Sequence, residues 1–307
     1  SFSDQNLTSA SFLRATLASA DFKNANLSFT YFDYATLTNT NFTNATVNGT
    51  SFRGTVANGF TEDQLKTTKS FQNKDLSEID LGDNDLSDWS FRDQNLTSAS
   101  FVGATLKKTD FTNANLSSVN FYGAILTNAD LTNLNLSSAS FDYAILTNTN
   151  FTNATVNGTS FRGTVANGFT ESQLKLTKSF QNKDLSGINL GYNDLSNWDF
   201  NGQNLASASF ENALLLETNF TNATFANTSF ANADTTNANF SNTATKGLTR
   251  AQLETAKNKL TNINLSNNDF AAANWDFTDA DLTNTKLENS TLTDVKFTNA
   301  NLMGTSL

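Results

Sequence analysis

Large apolar residues return at every fifth position over most of this chain, and that spacing rules out both ordinary regular structures. From the N-terminus the run is Phe2, Leu7, Phe12, Leu17, Phe22, Leu27, Phe32, Leu37, Phe42, Val47 and Phe52, without a slip of register. An α-helix repeats its faces every 3.6 residues or so and a strand about every 2, so neither keeps these side chains on one side. Two residues before the centres stand small or modest side chains, such as Ala10, Ala15, Ala20, Ala25, Thr30 and Ala35. A coil of short sides satisfies the period. Each pentad supplies one side and one turn, the centre and the small residue point inward, and the other three positions face solvent. Coils stacked at about 4.8 Å then pair their backbones and bury a column of Leu and Phe.

The order of residue types fixes the number of sides. Phe and Leu alternate, so residues twenty apart match: Phe101, Phe121, Phe141 and Phe161 form one inward ladder, and Leu96, Leu116 and Leu136 another. Opposite sides are alike and adjacent sides differ, which keeps the core volume constant from coil to coil. Leu131, where Phe is expected, and Thr235, at a centre, are breaks. The expected fold is an all-β solenoid, a four-sided β-helix with four pentapeptides per coil. The 27 Phe separate this polar chain from a disordered one, because regularly spaced large apolar groups offset the ordering entropy.

The pattern A(N/D/T/S)(L/F)xx resembles the pentapeptide-repeat family over about fifty pentads, roughly four fifths of the chain. The resemblance implies a right-handed quadrilateral β-helix. Roughly 12 coils then make a rigid rod of about 60 Å.

The chain has no His, Cys or Pro. It therefore lacks the usual imidazole base, the thiolate nucleophile and the nitrogen and sulfur ligands of zinc and iron. The expectation is a non-enzyme with no catalytic residues, no cofactor and no metal. With 19 basic and 29 acidic residues the formal net charge is −10, so a nucleic-acid partner is not expected and basic proteins fit better. No transmembrane run or signal-peptide pattern is read, so membrane insertion is not expected.

A longer repeat interrupts the short one. The stretch from Ala35 recurs from Ala144, 109 residues later, and residues 1–12 recur 89 residues later at 90–101, the two offsets differing by one twenty-residue coil. Inserts begin at Gly59, Gly168 and Gly247, the last only 79 residues after the second and thus half a coil out of step. Each insert carries a capping box, Thr61 with Gln64, Thr170 with Gln173 and Thr249 with Gln252, and reads as a short helix. The expected division is coils over 1–58, 76–167, 185–246 and 263–307, with helical inserts over 59–75, 168–184 and 247–262, all stacked as one continuous solenoid. After each insert comes a non-standard coil, with Ile79, Ile188 and Ile263 and then Trp89, Trp198 and Trp275 at inward positions that Ala usually fills. These large residues are expected to pack beneath the inserts as structural core. The GFTxxQL insert with its following NDLSxW coil resembles exported repeat proteins of environmental bacteria, which implies an extracellular or cell-surface location.

Neither end of the sequence reads as a cap, so either the array continues or its ends stack on other copies and self-associate into a filament. The densest acidic run, Asp75, Glu78, Asp80, Asp83, Asp85, Asp88 and Asp93, offers the oxygen ligands Ca²⁺ uses, but five of the seven charges vanish in the second copy, which favours a solvated patch. The expected function is a structural or interaction scaffold that binds a protein partner or further copies of itself. The family resemblance supplies an alternative, an acidic mimic of duplex DNA that binds type II topoisomerases. At −10 over about 60 Å the charge density lies far below duplex DNA's one per roughly 1.7 Å. An ice-binding surface would need a regular Thr face, and outward Thr38, Thr43, Thr127 and Thr132 are mixed with Arg, Lys and Tyr.

Overall fold

The computed structural model describes residues 1–307 and divides into two compact units. The first comprises Ser1–Thr159 with Asn167–Phe169 and Leu176–Lys178; the second comprises Ser160–Ala166, Thr170–Lys175 and Ser179–Leu307. Each is a right-handed four-sided β-helix.

In the first unit the residue before each centre pairs in parallel with its counterpart twenty residues on, as in Asn6 with Asn26 with Thr46, and Ser11 with Tyr31 with Ser51. The Leu7 N–H donates to the carbonyl of Asn26 (2.8 Å) and the Asn26 N–H donates to that of Gln5 (2.9 Å). A side is therefore only a few residues long, because a turn follows at once: the Ala10 N–H donates to the Leu7 carbonyl (2.9 Å) across Thr8 and Ser9. Ser9 has φ 59°, the left-handed value the second central residue of such a turn requires. Asn is the most frequent residue at this position, two after the centre, because its short polar side chain tolerates that conformation. This corner requirement accounts for much of the Asn in the chain.

Phe side chains stack along a ladder and meet edge-on across the coil. Phe32 lies stacked on Phe52 (5.5 Å) and edge-on to Phe42 (5.7 Å). Phe101, Phe121, Phe141, Leu96, Leu116 and Leu136 are fully buried in the first unit, and Phe161 is fully buried in the second. Thr at the small inward position buries its methyl group and donates its hydroxyl to the coil before, Thr30 to the Leu7 carbonyl (2.8 Å) and Thr50 to that of Leu27 (2.7 Å). In the second unit the Thr235 hydroxyl, at a centre, donates to Asn258 Oδ1 (2.7 Å). That bond offsets the cost of a polar group in the column.

The inserts depart from the sequence reading in detail. Each opens with a 3₁₀ turn inside what reads as coil, at Val56–Asn58, Val165–Asn167 and Ala244–Lys246. The first continues as α1 (Glu62–Lys66) and α2 (Lys69–Gln72), the second as α3 (Glu171–Lys175) and α4 (Lys178–Gln181), and the third as α5 (Arg250–Glu254) alone. The half-coil offset of the third has a plain cause within the second unit. One insert leaves after the side that pairs Ser160, Asn189 and Ser209, whereas the other leaves after Asn239, on the ladder of Asp199 and Asn219, two sides round the coil. Trp198 and Trp275 are buried, 8% and 7% exposed. Trp89 is half-buried, 6.1 Å from the Phe60 ring.

Candidate interaction surfaces

The outer sides are built from the pentad positions on either side of each centre, and on the Asn6 side they bond to one another. The Thr8 and Ser28 hydroxyls donate to Asn6 and Asn26 Oδ1 (2.7 Å each), and Asn26 Nδ2 donates to Thr8 Oγ1 (3.0 Å). At a corner, Asn24 Nδ2 donates to Asp4 Oδ1 (2.8 Å) and Asn44 Nδ2 to Asn24 Oδ1 (2.9 Å), a carboxamide ladder one coil per rung. These columns alternate Thr, Ser and Asn, so hydroxyls that could order water are engaged within the surface.

The acidic run does not converge. Asp75, Asp80 and Asp85 pair with Asn95, Ser100 and Thr105 on three successive sides of one coil, and Asp93 follows on the fourth. Burial alone raises the Asp75 carboxyl, but hydrogen bonds from Ser77, Asn95 and Asn48 outweigh it and hold the group below the ordinary carboxylate range. At Asp93, hydrogen bonds from Asn113 and Lys74 do the same, with the Lys74 ammonium 3.2 Å away. Asp83 accepts from Arg53 Nε (2.8 Å) and from the Tyr34 hydroxyl (2.9 Å). The geometry is that of a solvated, locally neutralised ring of charge.

The inserts are fastened to the coils by side chains. The capping boxes form at Thr61 with Gln64, Thr170 with Gln173 and Thr249 with Gln252. Gln64 Nε2 also donates to the carbonyls of Leu37 and Thr40 (2.8 Å each), and Gln252 does the same to Phe225 (2.7 Å) and Thr228 (3.0 Å). A recurrent buried Asn, missed in the sequence, repairs the ladder that the 3₁₀ turn breaks. Asn84 Oδ1 accepts from the Val56 N–H (2.9 Å) while Nδ2 donates to the Phe52 carbonyl (2.9 Å). Asn193 repeats this with Val165 and Phe161, and Asn268 with Ala244 and Phe240. The signal was present as Asn-Asp two residues before a centre in each post-insert coil, where Ala or Thr is usual.

Surface depressions are shallow. One of about 460 Å³ is lined by Phe270, Trp275, Asp276 and Lys296, without a nucleophile and base held together. No helix is long and apolar enough to cross a membrane.

Family models for a pentapeptide repeat region match residues 65–141, and for pentapeptide repeats residues 20–56, 129–168, 204–242 and 276–307, together well over half of the chain. No curated protein matches the sequence. Among solved structures, HetL, a pentapeptide repeat protein involved in heterocyst differentiation regulation from the cyanobacterium Nostoc, is 20% identical, with 99% of this chain and 90% of that one covered and a TM-score of 0.24. QnrB1, a plasmid-mediated fluoroquinolone resistance protein, is 15% identical over 93% of this chain and 90% of its own, with a TM-score of 0.20. Rfr23, from the cyanobacterium Cyanothece, is 18% identical over 52% of this chain and 93% of its own, at 0.14.

Proposed function

The chain belongs to the pentapeptide-repeat family, and from that premise we propose that it is a non-catalytic scaffold that binds protein, including further copies of itself stacked coil on coil. The observation that carries this is the use of the backbone: each coil offers its neighbour the same rows of N–H and C=O groups at the same twenty-residue spacing. Like therefore fits like, and an open row is a template for another chain. Such contacts are head-to-tail and grow without closing. The outer sides, by contrast, spend their polar groups on one another and gather no cleft. Net charge −10 argues against a nucleic-acid partner, and extracellular placement is the setting the inserts suggest. Sedimentation velocity over a concentration series tests the reading: the account expects species that grow with concentration and persist in salt, because the contacts are backbone hydrogen bonds. A monomer at every concentration, with no protein captured, would contradict it.

The acid excess favours one second reading, imitation of duplex DNA. A supercoiling assay with a type II topoisomerase, with and without a quinolone, decides it; protection of the enzyme would place the function there.

A further inference from the structure

Resting on the scaffold reading, we infer that one side of the first unit is a docking face for a protein segment that presents basic side chains. The side pairs in parallel from Ser11 and Tyr31 through Ser51, Asp80, Ser100 and Asn120 to Ser140. It and its entering corner carry Leu13, Phe29, Tyr31, Tyr34, Tyr122 and Tyr143, which are six of the eight large apolar side chains exposed in this unit. One side out of four thus holds most of the exposed apolar surface, a concentration that marks interaction sites.

Backbone conformation singles out the same side. Phe29, Tyr34 and Tyr143 sit at φ 58°, 57° and 58°, where bulky residues are outliers and the other corners carry mainly Asn, Gly, Ser and Asp. All the aromatic residues held in this conformation in the unit border this side. Strain kept at one place points to function there.

The second unit shows what such a ring accepts. Tyr192, at the same pentad position with φ 59°, has the Arg162 guanidinium 3.9 Å from its ring centroid. In the first unit Tyr31 and Tyr34 flank Asp33 within one pentad, with Asp80 farther along the same side. Arg53, on the same side, is already held by Asp83 (2.8 Å). Rings beside the remaining carboxylates, Asp33 and Asp80, suit a guanidinium or ammonium group, and the acid excess of the whole chain adds attraction at a distance. Between the two aromatic clusters the side and its leaving corner carry Gly54, Gly82 and Gly103, and the Tyr34 ring lies over Gly54. Five coil steps separate the Tyr31 pentad from that of Ser140. At about 4.8 Å each they span about 24 Å, the reach of about seven extended residues.

The test uses the whole chain with ¹³C-labelled Tyr rings, titrated with hexa-arginine. The ring signals of Tyr31 and Tyr122 are expected to shift, and that of Tyr192, already stacked by Arg162, to stay. Replacing Tyr31→Ala and Tyr122→Ala together should weaken binding roughly tenfold, from two lost cation–π contacts. Asp110→Asn with Asp130→Asn, on another side, should change it by less than about twofold. Both Tyr are exposed, so the variants fold, as circular dichroism would verify. Binding that leaves the Tyr signals unmoved, or no binding, overturns the docking face while the sedimentation result still stands for the scaffold. Rings that respond to a xylo-oligosaccharide and not to hexa-arginine would also overturn it, assigning the side to a neutral glycan.

Discussion

Phe121 and Tyr122 are chain neighbours on opposite sides of the same backbone, and truncating each to Ala separates the inward from the outward pentad positions. Phe121 is fully buried, stacked on Phe101 (5.4 Å) and Phe141 (5.0 Å) and edge-on to Phe111 (6.1 Å). Phe→Ala in a close-packed core costs about 3–5 kcal/mol. The lost aromatic pairs, at about 0.5–1.5 kcal/mol each, place this site at the top of that range. Tyr122 is 48% exposed, and its loss should cost no more than about 0.5 kcal/mol. Because each coil touches only its neighbours, the loss in Phe121→Ala should be local. Native-state hydrogen exchange reads it: the Phe121 amide, which donates to the Ser140 carbonyl (2.7 Å), and those of the adjoining coils should exchange about 10³-fold faster, with distant coils unchanged. Equal effects of the two substitutions, or a Phe121→Ala cost below about 1 kcal/mol, would refute the inward assignment.

Three further outcomes follow from the local chemistry. Asn84→Ala strands the Val56 N–H, while the Phe52 carbonyl keeps the Thr55 hydroxyl (2.6 Å), and at about 1–3 kcal/mol for one unsatisfied buried group it should lower the urea midpoint well beyond Asn73→Ala, an exposed control. Asn133, at φ 62°, should tolerate Gly almost without change, whereas Val there should cost about 1–2 kcal/mol in the same assay. The Asp75 carboxyl lies below its ordinary value of 3.8, so its contribution is present above that value and is lost as pH falls through the lower folded value. Urea midpoints measured from about pH 6 to about pH 2 should fall less in Asp75→Asn than in the parent chain; identical profiles would remove Asp75 from the account.

The coil was legible because its two constraints, an apolar centre and a small partner two residues earlier, each leave a strict mark at Phe121, Ala139 and their counterparts. The capping boxes at Thr61, Thr170 and Thr249 were legible too, since a box is a local pattern. Asn at the corners was not, because Asn24 or Asn44 reads as polar filler until its φ is known. The clamps Asn84, Asn193 and Asn268 escaped for a related reason: their pentads mark them with Asn-Asp where Ala or Thr is usual, but their partners lie more than a coil away and the pentad does not name them. Trp89 shows the limit of register as a guide to burial. Position says which way a side chain points, and the space beneath says how far it enters. The docking face emerges only when the twenty-residue period is wound into sides, which brings Tyr31 and Tyr122 onto one side across an insert that hides the register.

Negative-stain electron microscopy of the purified chain across a concentration series tests the scaffold claim most directly. The account predicts unbranched filaments of constant width that lengthen as concentration rises, since identical backbone rows stack without closing. Discrete particles of one size at every concentration would contradict coil stacking as the mode of assembly.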